Sequence, residues 1–247
     1  MRRFGLIGYP LRHSFSRQYF TEKFQREAIR DAVYENFPLP TVGQLPELIA
    51  QHTDLRGLNV TIPHKQAIIP LLNETEAEAT TIGAVNTIKI SSGKMVGFNT
   101  DHIGFMRSLL PLLQPHHKKA LILGTGGASL AIRHVLQKLG IAYALVSRQP
   151  VSKKGDVYAY SELTREIIQQ HLLIVNTTPA GMVPHTGKAP AIPYAHLTTR
   201  HLLYDLVYNP SETLFMQMGK KRGAAVCNGW NMLTIQAEEA WKIWSSF

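Results

Sequence analysis

Five short apolar runs, at residues 120–123, 142–146, 172–175, 202–206 and 224–226, recur through the second half of the chain without polar alternation. A strand with one wet face is polar at every second residue, so an unbroken run means that both faces are covered. Short segments buried on both faces, and spaced far enough apart for crossover helices, build a parallel sheet with helices on either side. The second half is therefore expected to be a doubly wound α/β unit.

The first of these runs ends in Gly124-Thr125-Gly126-Gly127-Ala128-Ser129, and a helical stretch at 130–139 follows, stopped by Gly140. Glycines let the backbone turn tightly and approach a pyrophosphate, whose charge is favoured by the exposed amides of the helix terminus. Strand, loop and helix stand in the order that a dinucleotide site needs. Where the next run ends, the chain reads Ser147-Arg148-Gln149, with no carboxylate for the ribose hydroxyls of NAD. Arg148, with Lys153 or Lys154 assisting, fits a 2′-phosphate instead and favours NADP, although an arginine at a strand end is also an ordinary surface residue. The runs ending at 175 and 206 lead into Asn176-Thr177-Thr178-Pro179-Ala180-Gly181-Met182 and Val207-Tyr208-Asn209-Pro210. These loops follow carboxyl ends of strands, where an open parallel sheet binds ligands, and are expected to line the nicotinamide side.

The first half has a different texture. Strand-like runs at 4–7, 33–37, 57–61, 85–90 and 95–98 alternate with amphipathic segments such as 16–28. Ser91-Ser92-Gly93-Lys94 joins two of them as a hairpin, so this sheet should be mixed. At 247 residues and 45% hydrophobic content the chain can fill two modest cores. The expected division is a domain of residues 1–100 and 229–247 and another of 101–228, with a helix at 101–113 and a terminal helix at 232–244 that packs back on the first domain.

Within the first half, Leu58-Asn59-Val60-Thr61-Ile62-Pro63-His64-Lys65 sets one lysine behind a β-branched run and a proline. Pro63 suits the first turn of a helix, so 59–61 reads as strand and 64–72 as helix, with Lys65 held at the junction. Most lysines are solvated surface charges, so Lys65 needs partners. Ser14 and Ser16, Thr61, Asn86 and Asp101 are polar groups that can converge with it. Serines at a helix start are usually caps, and Asp101 suits either a helix N-cap or a carboxylate facing Lys65. Asn86 enters an apolar strand and needs a partner if buried.

The formal charge is +9, yet the basic residues are scattered in short groups such as Lys118-Lys119 and Lys220-Lys221-Arg222. That is no nucleic-acid stripe; a basic surface also steers anionic small molecules. The single cysteine, Cys227, excludes an internal disulfide and reads as a buried strand thiol. No stretch approaches the roughly 20 apolar residues that span a bilayer. Residues 1–10 reach glycine and proline before any leader-like apolar region forms, which predicts a cytoplasmic protein.

Taken in order, Ser14-Phe15-Ser16, Asn59 to Lys65, Gly83-Ala84-Val85-Asn86-Thr87, Asn99-Thr100-Asp101, Gly124 to Ala128, Asp205-Leu206-Val207-Tyr208-Asn209-Pro210 and Met232-Leu233-Thr234-Ile235-Gln236 resemble the shikimate dehydrogenases nearly end to end. The resemblance implies an N-terminal α/β substrate domain with a mixed sheet and a Rossmann-like NADP domain. It implies NADP-dependent, reversible reduction of 3-dehydroshikimate to shikimate, with Lys65 and Asp101 catalytic. Ser14, Ser16, Thr61, Asn86, Asp101, Tyr208 and Gln236 would bind the carboxylate and hydroxyls of shikimate. Gly124, Thr125, Gly126, Gly127, Ala128, Ser147, Arg148, Leu206 and Gly229 would hold NADP. The family's Asn-Arg-Thr is here Ser147-Arg148-Gln149, followed by Pro150, so only the arginine is retained. The partner would be a small molecule, with no metal, nucleic acid or membrane, for a monomer or homodimer. The competing readings are a quinate/shikimate dehydrogenase using NAD, and a non-catalytic cofactor-sensing or nucleic-acid-binding protein on the same fold.

Overall fold

The computed structural model describes residues 1–11, 15–149 and 157–246. Ser14, Pro150, Lys153 and Lys154, invoked above, lie outside the described residues. The chain divides into two compact units, Met1–Thr100 with Ala237–Phe247, and Asp101–Gln236.

The first unit contains β1 (Arg2–Gly8), α1 (Phe15–Arg26), β2 (Ala32–Pro38), α2 (Leu45–Gln51), β3 (Leu55–Val60), β4 (Glu74–Thr75), α3 (Ala77–Ile82), β5 (Thr87–Ser91) and β6 (Lys94–Phe98). Its sheet runs β2-β1-β3-β5-β6-β4 and is mixed: β1 is parallel to β2 and β3, whereas β5 is antiparallel to β3 and β6. The β5–β6 hairpin closes through Ser92 and Gly93, both at positive φ, the backbone that matches the twist of the flanking strands. On one side Ile7, Leu58, Val60 and Ile88 pack with Leu45, Leu48 and Ile68. On the other, Phe4, Leu6, Phe20 and Tyr34 pack with Ala237, Ala240 and Trp244. The Trp244 indole donates to the Ile88 carbonyl at 2.9 Å. It lies where a side chain on Gly57 would stand, which is why that strand position carries glycine.

The helix expected at 64–72 does not form. His64 N–H bonds back to the Thr61 carbonyl at 2.9 Å, so Pro63 lies inside a turn rather than at the head of a helix. Beyond it Ile68 N–H reaches His64, Ile69 reaches only Gln66, and residues Ile69–Leu71 make a short 3-10 turn.

The second unit contains α4 (Asp101–Leu109), β7 (Lys119–Leu123), α5 (Gly127–Lys138), β8 (Ala142–Ser147), β9 (Val157–Ala159), α6 (Arg165–Gln170), β10 (Leu173–Asn176), β11 (Leu202–Asp205), α7 (Leu214–Lys220) and β12 (Ala225–Cys227). The helix α8 (Trp230–Ser245) begins here and belongs to the first unit from Ala237 on. All strand pairs are parallel, in the order β12-β11-β10-β7-β8-β9. The chain winds outward from β7 to β9, returns beside β7 with β10, and winds outward again to β12. This is the doubly wound dinucleotide-binding order, and its switch point lies between β7 and β10. Leu121, Leu123 and Ile174 face one core, Ala120, Ile122 and Val175 the other, as the unbroken apolar runs require. Cys227 is half-buried rather than buried: its strand is an edge of this sheet, and the thiol donates to the Asn228 carbonyl at 3.3 Å.

Candidate active site

Antiparallel pairing brings the start of β5 beside the ends of β3 and β6 in the first unit. Asn59 pairs with Thr87, and Thr87 with Phe98. At this edge the Asn86 carbonyl accepts from Val60 N–H at 2.8 Å, and Asn86 N–H donates to the Phe98 carbonyl at 3.0 Å. The buried Asn86 side chain donates to Thr100 Oγ1 at 2.9 Å and accepts from Thr100 N–H at 2.7 Å. Asn59 donates to the Asn86 carbonyl and to Thr87 Oγ1, both at 3.3 Å, and accepts from the Tyr34 hydroxyl at 2.8 Å. Ser16, in the first turn of α1, stands near that hydroxyl. A polar network of this kind, buried and satisfied, fixes one arrangement of the chain at the sheet edge.

Lys65 is held at the same edge by its backbone. Its carbonyl accepts from Val85 N–H at 2.8 Å, and Thr61 N–H donates to the Ile7 carbonyl at 2.9 Å. The neighbouring His64 is buried, with Nε2 bonded to the Leu39 carbonyl at 2.6 Å. Gly8 leaves room for the turn, since a Cβ there would meet Thr61 Cγ2 and, at 2.9 Å, the Ile62 carbonyl. The Lys65 side chain is half-buried. The backbone at Lys65 and in the turn just before it is thus anchored.

In the second unit the glycine loop sits at the switch point. Gly124 has φ +104, and a Cβ on it would lie 2.8 Å from Thr177 Oγ1 and 2.9 Å from Thr178 Cγ2, so no other residue fits there. Gly126 has open space where a side chain would be, directly ahead of α5. That exposed, amide-rich turn at a helix N-terminus suits an anion. Ser129 stands where the fingerprint has glycine or alanine, and its hydroxyl folds back onto the Gly126 carbonyl at 2.7 Å, which lets it pack as a small residue. At the end of β8, Gln149 N–H bonds Ser147 Oγ at 3.2 Å, and Arg148 is exposed with its charge reaching Tyr160.

On the other side of the switch point, Asp205 ends β11 fully buried. It accepts from the Asn176 amide at 2.9 Å, Val207 N–H at 3.0 Å and the Thr213 hydroxyl at 2.6 Å. Burial pushes its carboxyl up to about 6, against the opposing pull of those three bonds. Gly229 abuts the Leu206 carbonyl, where a side chain would collide with backbone, and donates its N–H to the Val207 carbonyl at 3.1 Å.

Ser16, Thr61, Lys65 and Asn86 therefore share the first unit. Asp101, buried as the first residue of α4, Tyr208, half-buried, and Gln236, whose amide donates to the Leu233 carbonyl at 2.9 Å, belong to the second. Sequence reasoning assigned no role to Tyr34, Thr87, Thr100, Asp205 or Thr213. The signal available was a polar residue closing an apolar run, as at Asn59, Asn176 and Asp205. No group of three or more His, Cys, Asp or Glu able to hold a metal occurs among the described residues. None of their helices is long and apolar enough to cross a membrane.

Residues 6–88 match the family model of the shikimate dehydrogenase substrate binding domain. The chain is 36% identical to the shikimate dehydrogenase (NADP(+)) of Carboxydothermus hydrogenoformans, over 98% of its own length and 90% of that protein's. It superposes with a TM-score of 0.87 on shikimate 5-dehydrogenase from Thermus thermophilus in complex with NADP(H) and shikimate, at 30% identity, covering 100% of this chain and 94% of the other. Quinate dehydrogenase from Corynebacterium glutamicum in complex with NAD is also similar, with a TM-score of 0.86 at 27% identity, covering 100% and 94% of the two chains.

Proposed function

The chain belongs to the shikimate dehydrogenase family, and from that premise we propose that it reversibly reduces 3-dehydroshikimate to shikimate with NADPH. The observation that carries this reading is the backbone-anchored Lys65 beside the Asn86 network, in the stretch that matches the substrate-binding model.

The cofactor fits the residues present. The turn enforced at Gly124 and the open space over Gly126 leave a cradle for the pyrophosphate through Gly124, Thr125, Gly126, Gly127 and Ala128. Ser147 and Arg148 take the 2′-phosphate; an arginine in place of an acid at the end of β8 favours NADP over NAD. Leu206 and Gly229 border the nicotinamide side. Bound NADPH supplies the hydride.

Ser14, Ser16, Thr61, Asn86, Asp101, Tyr208 and Gln236 hold the carboxylate and hydroxyls of the substrate. The Lys65 ammonium stabilises the negative charge developing on the carbonyl oxygen and gives it a proton, and neutral lysine takes that proton back in the reverse direction. Asp101 is the second ionisable group of the reaction. We place the protein in the cytoplasm, as a monomer or homodimer acting on a small molecule. NADPH formation by purified protein with shikimate and NADP⁺ tests the reading; absence of turnover contradicts it.

A further inference from the structure

Asp205 has none of the roles assigned above, yet it is the point where three chain segments meet. A carboxylate taken out of water is costly unless its charge is met, and no cation among the described residues shifts this one. What it does have is acceptor capacity on both oxygens. Oδ1 takes the Asn176 amide and Val207 N–H, and Oδ2 takes the Thr213 hydroxyl. Each contact is relayed further. Asn176 Oδ1 accepts from Thr178 N–H at 3.0 Å and from the Thr178 hydroxyl at 2.6 Å, which shapes the loop after β10. Thr213 Oγ1 in turn accepts from Met216 N–H at 3.4 Å and so caps α7. Val207, held by Asp205, stands between Leu206 and Tyr208 and accepts from Gly229 N–H.

Both loops so fixed follow β10 and β11, on the side of the switch point away from Arg148. A dinucleotide laid across that crevice with its 2′-phosphate at Arg148 places its other half on these loops. We infer that Asp205 is a positioning residue for the nicotinamide half of the cofactor, setting the loops at 176–181 and 206–210 while touching neither substrate nor cofactor. The inference rests on the NADP reading of this unit. An asparagine of the same shape would turn one acceptor into a donor: with Nδ2 toward Thr213 the hydroxyl must accept instead of donate and loses the oxygen that takes its proton, and with Nδ2 toward Asn176 and Val207 both of those bonds are lost.

Calorimetric titration of Asp205→Asn, Thr213→Val and Thr213→Ser with NADP⁺ and with 2′,5′-ADP, which lacks the nicotinamide half, separates positioning from general damage. We expect D205N and T213V to bind NADP⁺ about tenfold more weakly and 2′,5′-ADP within about twofold of wild type, with T213S unchanged for both. Equal losses for both ligands, or NADP⁺ binding kept within about twofold in D205N and T213V, would overturn the inference. Failure of the wild type to turn over shikimate would contradict only the proposed reaction, because neither titration requires turnover.

Discussion

Asn86 and Thr100 are joined at both ends of one side-chain amide, Nδ2 donating to Thr100 Oγ1 at 2.9 Å and Oδ1 accepting from Thr100 N–H at 2.7 Å. One residue precedes β5 and the other follows β6, so the pair staples the open end of the hairpin. Asn86→Ala removes both of these buried hydrogen bonds. A loss of about 2 kcal/mol in urea unfolding is expected, together with loss of shikimate turnover. A change below about 0.5 kcal/mol would show the staple to be dispensable.

Gly124→Ala places a Cβ against Thr177 and Thr178 at a left-handed φ of +104. The loop must move, at a cost of about 1–3 kcal/mol, and the affinity for NADP⁺ should fall about tenfold or more. Unchanged binding by calorimetry would remove this loop from the cofactor site.

The doubly wound sheet was legible because strands covered on both faces leave unbroken apolar runs, and those runs lie within a residue or two of β7, β8, β10, β11 and β12. The glycine loop was legible for a related reason, since only backbone constraints explain Gly124. The helix at 64–72 was misread because a proline suits either a helix start or a turn, and only the His64–Thr61 bond decides between them. β9 has only three residues, too few for a periodic signal. The Tyr34–Asn59 and Asp205–Asn176–Thr213 contacts join residues far apart in sequence, so the polar residues were visible but their partners were not.

Buried histidines give the second unit an acid sensitivity. Burial pushes His117, His171 and His201 below the usual 6.5, while bonds to backbone carbonyls partly oppose the shift. The unfolded chain then binds protons that the fold refuses. Stability is full above about 6.5 and is lost as pH falls from there through the folded-state values. Asp205 acts in the opposite sense: with its carboxyl raised to about 6, its contribution is present below the unfolded value of 3.8 and is lost as pH rises through 6. With three histidines against one aspartate, the thermal midpoint should be lower at about pH 5 than at about pH 7. A midpoint that stays level or rises on acidification would contradict this balance.

Arg148→Ala should raise KM for NADPH about tenfold while leaving KM for NADH within about twofold, because a guanidinium–phosphate bond is lost only with the phosphorylated cofactor. Parallel kinetics with the two cofactors decide this. An equal effect on both would show that Arg148 does not read the 2′-phosphate.

In the proposed reaction Lys65 carries the proton. Steady-state turnover and equilibrium shikimate binding of Lys65→Ala, measured on the same preparation, test it most directly. A fall in kcat by about a factor of 100 or more is expected, while shikimate still binds. Turnover near the wild-type level would contradict it.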